Sequence, residues 1–518
     1  MNRRTAVATG AAAAASVAAL AGLRWCAGEP SAQSPVLPVP PSRREIKLIA
    51  QAAQVDLGRG RRPQAWTYDG RLPGPELRFK EGEHVRIVLE NRLPTPTSIH
   101  WHGLPQRGTN SMDGVPGVTQ KAVPQGESFV YEFVAAPAGT FFFHSHFGLQ
   151  LEHGLYAPLI IEPARESLSY DREYVVVLDD WPARSPEAMM AELLSGEAMG
   201  RMAGMMRGPM DGARAPVEAE EDEMLLPSTA GTSAPAVSFL TPLGTRVEAE
   251  PDIAYSSFLI NGRLPFSVPP FTVRRGDLVR FRIINSGAST AFRIAAGGHR
   301  MLVTHTDGFP CVPVEVDTLE ISVGERYDVM IRMNNPGVWP LVAMSVDEPG
   351  RGARADIRYL DAGASAIPPV NAVPRELGGR ILTYGDLIAT EETRWDSGPH
   401  RLLDTPLGGQ MMPYEWNIGK TVARGTPVPT YAVRSGETVH VRIRNVSPMR
   451  HPMHLHGHSF RLLTRDGGRT VWKDTVTVNP GATVNFQFTA DNPGDWLYHC
   501  HHAYHQEAGM MRVVRYVT

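Results

Sequence analysis

Leu77-Arg78-Phe79-Lys80-Glu81-Gly82-Glu83-His84-Val85-Arg86-Ile87-Val88-Leu89-Glu90-Asn91 alternates apolar and polar residues on either side of a glycine turn. The pattern returns at Gly276-Asp277-Leu278-Val279-Arg280-Phe281-Arg282-Ile283-Ile284-Asn285 and at Gly436-Glu437-Thr438-Val439-His440-Val441-Arg442-Ile443-Arg444-Asn445, with glycine and asparagine nine positions apart each time. Side chains on a strand point alternately to its two faces, so a turn glycine followed by period-two alternation describes a half-buried strand. A second spacing recurs with the first: Gly126 and Gly139, Gly324 and Gly337, and Gly481 and Gly494 stand thirteen apart across an apolar strand. Two patterns in three copies each predict an all-β chain of three homologous β-sandwiches. The predicted boundaries are 42–165, 166–365 and 366–518, with an irregular insertion over about 184–250 that is Met-rich, then acidic, then rich in Ser and Pro.

Composition agrees with that division. A chain of 518 residues is too long for one ordinary core, and its 44 prolines favour short strands and turns over long helices. The formal net charge of -3 makes no large field of either sign. This argues against a nucleic acid or an anionic membrane as partner and for a small substrate.

The first residues carry Asn2-Arg3-Arg4-Thr5 and then an apolar Ala-rich run from Ala6 to Leu23, too short and weak for a stable membrane span. Residues 1–33 read as an export signal. The paired arginines resemble a twin-arginine signal, used by proteins exported already folded, with an ordinary secretory signal as the alternative. Only Cys26, Cys311 and Cys500 occur, and Cys26 leaves with the signal, so no disulfide framework is expected. Cys500 needs another explanation.

Five residues past the second glycine, the outer copies read His144-Ser145-His146 and His499-Cys500-His501, whereas the middle copy reads Val342-Ala343-Met344. The middle sandwich is therefore expected to bind no metal there and to serve as a spacer. His100-Trp101-His102 and His454-Leu455-His456 complete four pairs. On a strand each pair sends both imidazoles to one side, where they can meet one metal cluster. A lone His-x-His is more often a satisfied polar residue, but four pairs, two in each terminal sandwich, are hard to explain that way. Eight imidazoles also suit a cluster of three coppers.

Around Cys500 a second site is legible, with His505 and Met510 following it and His451 three before His454. Two imidazoles, a thiolate and a weak thioether are the soft trigonal set that selects copper for one-electron transfer. A structural zinc site has no use for an axial methionine. Zinc would also leave the eight flanking histidines unexplained, and a catalytic nucleophile with a neighbouring histidine is the lesser alternative for Cys500.

His499-Cys500-His501-His502-Ala503-Tyr504-His505-Gln506-Glu507-Ala508-Gly509-Met510 resembles the His-Cys-His-x3-His-x4-Met signature of the three-domain multicopper oxidases, which include laccases and bacterial copper-tolerance oxidases. The resemblance covers 42–518 and implies three cupredoxin-like Greek-key sandwiches carrying four copper ions. It implies a type 1 copper on His451, Cys500, His505 and Met510, and a type 2 copper on His100 and His454. One type 3 ion would take His102, His144 and His501, the other His146, His456 and His499. Reducing substrate would deliver electrons singly to the type 1 copper, and four of them, crossing through Cys500 to its neighbours His499 and His501, would reduce one dioxygen to water. Asp113, in Met112-Asp113-Gly114, resembles the family's proton-handling aspartate near that cluster, with a turn-capping Asp-Gly as the bland alternative. Where several relatives carry a glutamate after the second type 1 histidine, this chain has Gln506, with Glu507 next to it.

Seven methionines, Met189, Met190, Met199, Met202, Met205, Met206 and Met210, crowd the insertion. Thioethers bind Cu(I). The three-to-four spacing of Met199, Met202, Met206 and Met210 would equally make one apolar helix face, which Gly200, Gly204 and Gly208 would weaken. Such insertions occur in copper-tolerance oxidases and imply Cu(I) as substrate. Relatives that oxidise Cu(I) also place an acid four before the first type 1 histidine, and this chain has Ser447 there. The expectation is a monomeric periplasmic or secreted oxidase of Cu(I) or phenols, with a phenol-directed laccase or a non-enzymatic copper-binding protein as alternatives.

Overall fold

The computed structural model describes residues 43–196, 252–363, 373–391, 400–424, 429–463 and 471–517, and the backbone of two short strands, Phe239–Leu240 and Arg246–Val247. The export signal and Met199, Met202, Met205, Met206 and Met210 lie outside the described residues.

Three β-sandwiches follow one another, each with the same wiring. In each, a central strand pairs in parallel with the strand that opens the sandwich and antiparallel with the strand between the paired glycines. The central strands are His84–Asn91, Leu278–Asn285 and Thr438–Asn445. Their parallel partners are Arg43–Gln54, Arg172–Pro182 and Arg401–Met411. Their antiparallel partners are Ser128–Val134, Arg326–Arg332 and Thr483–Thr489. In the first sandwich, one apolar core joins Ile87 and Leu89 of one sheet to Trp101, Phe141 and Phe143 of the other.

The recurring asparagine has one job in all three copies. Asn91 donates from Nδ2 to the carbonyls of Thr95 (2.9 Å) and Val123 (2.8 Å). Asn285 does so to Thr290 and Ile321, and Asn445 to Met449 (2.7 Å) and Val478 (2.9 Å). Each Oδ1 accepts the amide two residues on. The side chain thus ties the end of the central strand to the loop feeding the next strand of the opposite sheet. In the outer sandwiches that next strand carries histidines, His100–His102 and His451–Leu455.

The middle copy departs from the expected half-buried strand. Thr438–Asn445 buries Val439, Val441 and Ile443 and leaves the intervening residues part-exposed, whereas every residue of Leu278–Asn285 is buried. Its polar side chains are covered, Arg282 by the first sandwich and Arg280 by Asp328, Glu166 and the Tyr170 ring. Arg282 donates to Thr140 Oγ1 (2.8 Å), which in turn donates to Asp328 (2.7 Å). Alternation was present in the sequence, but the apposed sandwich makes the second face interior too.

Candidate metal centres

The histidine pairs sit where two edges meet. His100–His102 pairs with Gly139–His144 in the register His100↔His144, and His451–Leu455 pairs with Asp495–Cys500 in the register His454↔His499. The corresponding strands of the middle sandwich set Ile294 opposite Ala343. The first and third sandwiches face their histidine edges toward each other. His102 Nδ1 lies 3.2 Å from His501 Nε2, and His499 Nε2 lies 3.4 Å from His146 Nε2 and 3.1 Å from His456 Nε2. Three groups of ring nitrogens converge within metal-binding reach: His100, His102 and His454; His102, His144 and His501; and His146, His456 and His499.

Most of these rings are held by an outward nitrogen. Nδ1 of His100 donates to the Asp113 carbonyl (2.8 Å), that of His454 to the Asp474 carbonyl (2.9 Å) and that of His499 to the Cys500 carbonyl (2.9 Å). His456 Nδ1 meets the Asp113 carboxylate at 2.9 Å. The inward Nε2 atoms of His100, His144 and His454 are buried without any partner. Burial also pushes His102, His144, His146, His456, His499 and His501 well below the ordinary imidazole range, with neighbouring rings adding to it. Neutral, oriented imidazoles whose inner nitrogens converge are a donor set that fits a metal ion.

A second group lies behind Cys500. His451 Nδ1 and His505 Nδ1 approach to 3.0 Å, and each stands 3.7–3.8 Å from Cys500 Sγ. Met510 is wholly buried beside them, its carbonyl accepting from the Cys500 amide (3.0 Å). Burial pushes the Cys500 thiol up, so a metal ion is what would make it a thiolate. Two Nδ1 atoms, one thiol and a neighbouring thioether fit copper by donor chemistry alone.

Three family models, each described as "Multicopper oxidase", match residues 50–166, 236–359 and 399–518. Multicopper oxidase MmcO of Mycobacterium tuberculosis is 38% identical over 91% of this chain and 86% of its own length. The chain is a multicopper oxidase. Copper resistance protein A of Pseudomonas syringae pv. tomato is 29% identical over 88% of this chain and 90% of that protein. The laccase from Botrytis aclada has the same fold, with a TM-score of 0.71 at 24% identity over 91% of this chain and 87% of that one. This multicopper oxidase therefore carries copper and couples one-electron oxidation of a reducing substrate to the four-electron reduction of dioxygen to water.

Asp113 of the oxidase lies at a turn and against two of these histidines. It ends the turn Asn110–Met112, and it is fully buried with its carboxylate on His456 and 3.3 Å from His100 Nδ1. Gly114 after it has φ +90°, and a Cβ there would strike the Ile99 carbonyl, one residue from His100. Glu507, by contrast, ends the helix Ala503–Glu507, two residues past His505, and accepts from Gln506 (3.3 Å). Met189 and Met190 lie on the helix Pro186–Ser195, which Gly196 ends with φ +77°.

Sequence reasoning missed two carboxylates. Asp252 meets the outward Nε2 of His505 at 3.1 Å and that of His502 at 3.2 Å, and Tyr414 donates to it (2.6 Å). Burial alone would raise its pKa, but the two imidazoles outweigh that and hold it well below the carboxylate range. Ser447 Oγ caps the other outward nitrogen, His451 Nε2, at 2.6 Å. Asp474 lies beside His102 and His454. No local spacing marks either acid, since the contact from Asp252 to His505 spans 253 residues.

Proposed function

We propose that His451, Cys500, His505 and Met510 hold a type 1 copper and that His100 and His454 hold a type 2 copper. His102, His144 and His501 on one side, with His146, His456 and His499 on the other, hold a type 3 pair, giving four ions per chain. The arrangement of ring nitrogens carries this reading: each group aims unpartnered or mutually crowded nitrogens at one point while hydrogen bonds fix the rings from outside. When bound, copper supplies the one-electron chemistry. The chain supplies order and proton handling. Asp113 and Asp474 sit against cluster imidazoles, where they orient the rings, and Asp113 is the carboxylate placed to pass protons for dioxygen reduction.

We further infer that the reducing substrate is Cu(I) and that the protein serves copper tolerance in the periplasm after twin-arginine export, as a monomer of three sandwiches bounded near 165 and 365. Likeness to copper resistance protein A supports this. A second support is where the run starts: Met189 Sδ lies 3.9 Å from the hydroxyl of Tyr504, the residue before His505. Met189 itself is buried core, and Met190 packs beside it. The acid absent at Ser447 is offered instead by Asp252 on the other histidine, where an ionised carboxylate can attract a cation. Oxidation of phenols, as by a laccase, is the other reading.

Steady-state oxygen uptake with Cu(I) and with dimethoxyphenol separates them. Replacing Met199, Met202, Met206 and Met210 by Leu keeps apolar volume and removes the thioethers. Cu(I) oxidation should then show a raised KM while phenol oxidation is unchanged. Equal Cu(I) kinetics in the two proteins would leave the phenol reading.

A further inference from the structure

The middle sandwich, expected only to space the other two, touches the histidine cluster. Gly324 packs so tightly that a Cβ on it would stand 3.0 Å from the His501 ring and 3.2 Å from that of His102. Two residues on, Arg326 is fully buried at a point where all three sandwiches meet. Its Nη1 and Nη2 grip both carboxylate oxygens of Asp474 at 2.7 and 2.6 Å, Nε donates to the Thr140 carbonyl of the first sandwich (3.2 Å), and the Gly324 and Asp307 carbonyls take its remaining protons. Asp474 turns toward the cluster: its carbonyl accepts from His454 Nδ1 (2.9 Å), its Oδ1 lies 3.3 Å from His102 Nε2, and the same oxygen accepts from Thr475 Oγ1 (2.9 Å).

We propose that Arg326 is a positioning residue of the trinuclear centre, acting through the Asp474 carboxylate that it grips. The proposal rests on the assignment of His102 and His454 to that centre. A guanidinium fork fixes the plane of a carboxylate as well as neutralising it, which a point charge does not do. The plane of Asp474 sets the direction from which its oxygen meets His102, and its main chain holds His454, whose unpartnered Nε2 aims at the type 2 position. The neighbouring Lys473 is no substitute, because its ammonium is engaged by Asp307 (3.0 Å), Glu325 (3.1 Å) and Thr306 (2.8 Å). A sandwich without cluster ligands thereby holds two of them in place.

The test is copper content per chain and the paramagnetic resonance of type 2 copper in the full-length protein with Arg326→Met, Arg326→Lys, Asp474→Asn and the Arg326→Met/Asp474→Asn double variant. Arg326→Met should lose most of its type 2 copper or change its hyperfine splitting, while blue type 1 absorption per chain stays at the wild-type level. Arg326→Lys should fold and show the same change in weaker form. The double variant should be no worse than Asp474→Asn alone, since the arginine acts through that carboxylate. A wild-type type 2 signal at full copper content in Arg326→Lys and Arg326→Met would overturn the proposal, even if the copper-free variants melt at lower temperature. His454→Gln is the control for the assignment underneath: retention of its type 2 signal would remove the proposal's basis, separately from any role of Arg326.

Discussion

Burial holds the Cys500 thiol protonated, and a metal ion is the one partner able to displace that proton inside an apolar site. The copper-loaded protein should therefore be blue through thiolate charge transfer, and Cys500→Ser should bleach it, read directly as red-wavelength absorbance at equal protein. A retained band would place the thiolate elsewhere. A second residue predicts a pH dependence. Burial lowers His305 to about 4, with Arg280 and Arg282 adding to it and Asp328 opposing. Its folded value lies below the unfolded one of 6.5, so between those values the unfolded chain binds more protons and stability rises with pH. The contribution is neutral above about pH 6.5 and becomes a growing penalty as pH falls toward 4. The melting temperature should fall over that window, and His305→Gln should flatten part of the fall. Equal slopes in the two proteins would exclude His305 as a cause.

Among the elements, the asparagine at the end of each central strand links fold to site. Asn445 makes four hydrogen bonds around the loop that delivers His451, and Asn91 makes three for His100. With a net value of roughly 0.5–1.5 kcal/mol per bond, plus orphaned buried carbonyls, Asn445→Ala should destabilise by about 2–4 kcal/mol. It should also shift or broaden the blue band, whereas Asn285→Ala, in the sandwich whose next strand carries Phe292 and Ile294, should destabilise without touching the spectrum. Chemical denaturation alongside absorbance checks both. The same elements explain what could be read in advance. Turn glycines, the asparagine and the His-x-His pairs are local devices with fixed spacing, so three sandwiches and the histidine clusters were visible in the chain. Asp252 reaches His505 across 253 residues and Arg326 reaches Asp474 across 148, and an isolated acid or arginine carries no spacing to read. The full burial of Leu278–Asn285 was hidden for the same reason, since its second cover is another sandwich.

For the molecule as a whole, the cluster is a joint. His100, His102, His144 and His146 come from the first sandwich and His454, His456, His499 and His501 from the third, with Arg326 of the middle one wedged behind them. Ions bound by the folded joint alone stabilise it by mass action, so chelating copper should lower the melting temperature. The loss should exceed that from emptying only the type 1 set, and calorimetry at graded copper loading reads the difference. No loss on full chelation would mean that protein contacts alone hold the sandwiches together. The split has a consequence in time. A ribosome makes His100 hundreds of residues before His501, and until the last of these has emerged and the terminal sandwich has closed, the cluster lacks half of its donors. On the assignment proposed above, occupancy of the shared centre would be a certificate of completion: a chain cut short before His499 has only part of the donor set, and only a finished one brings all eight imidazoles together.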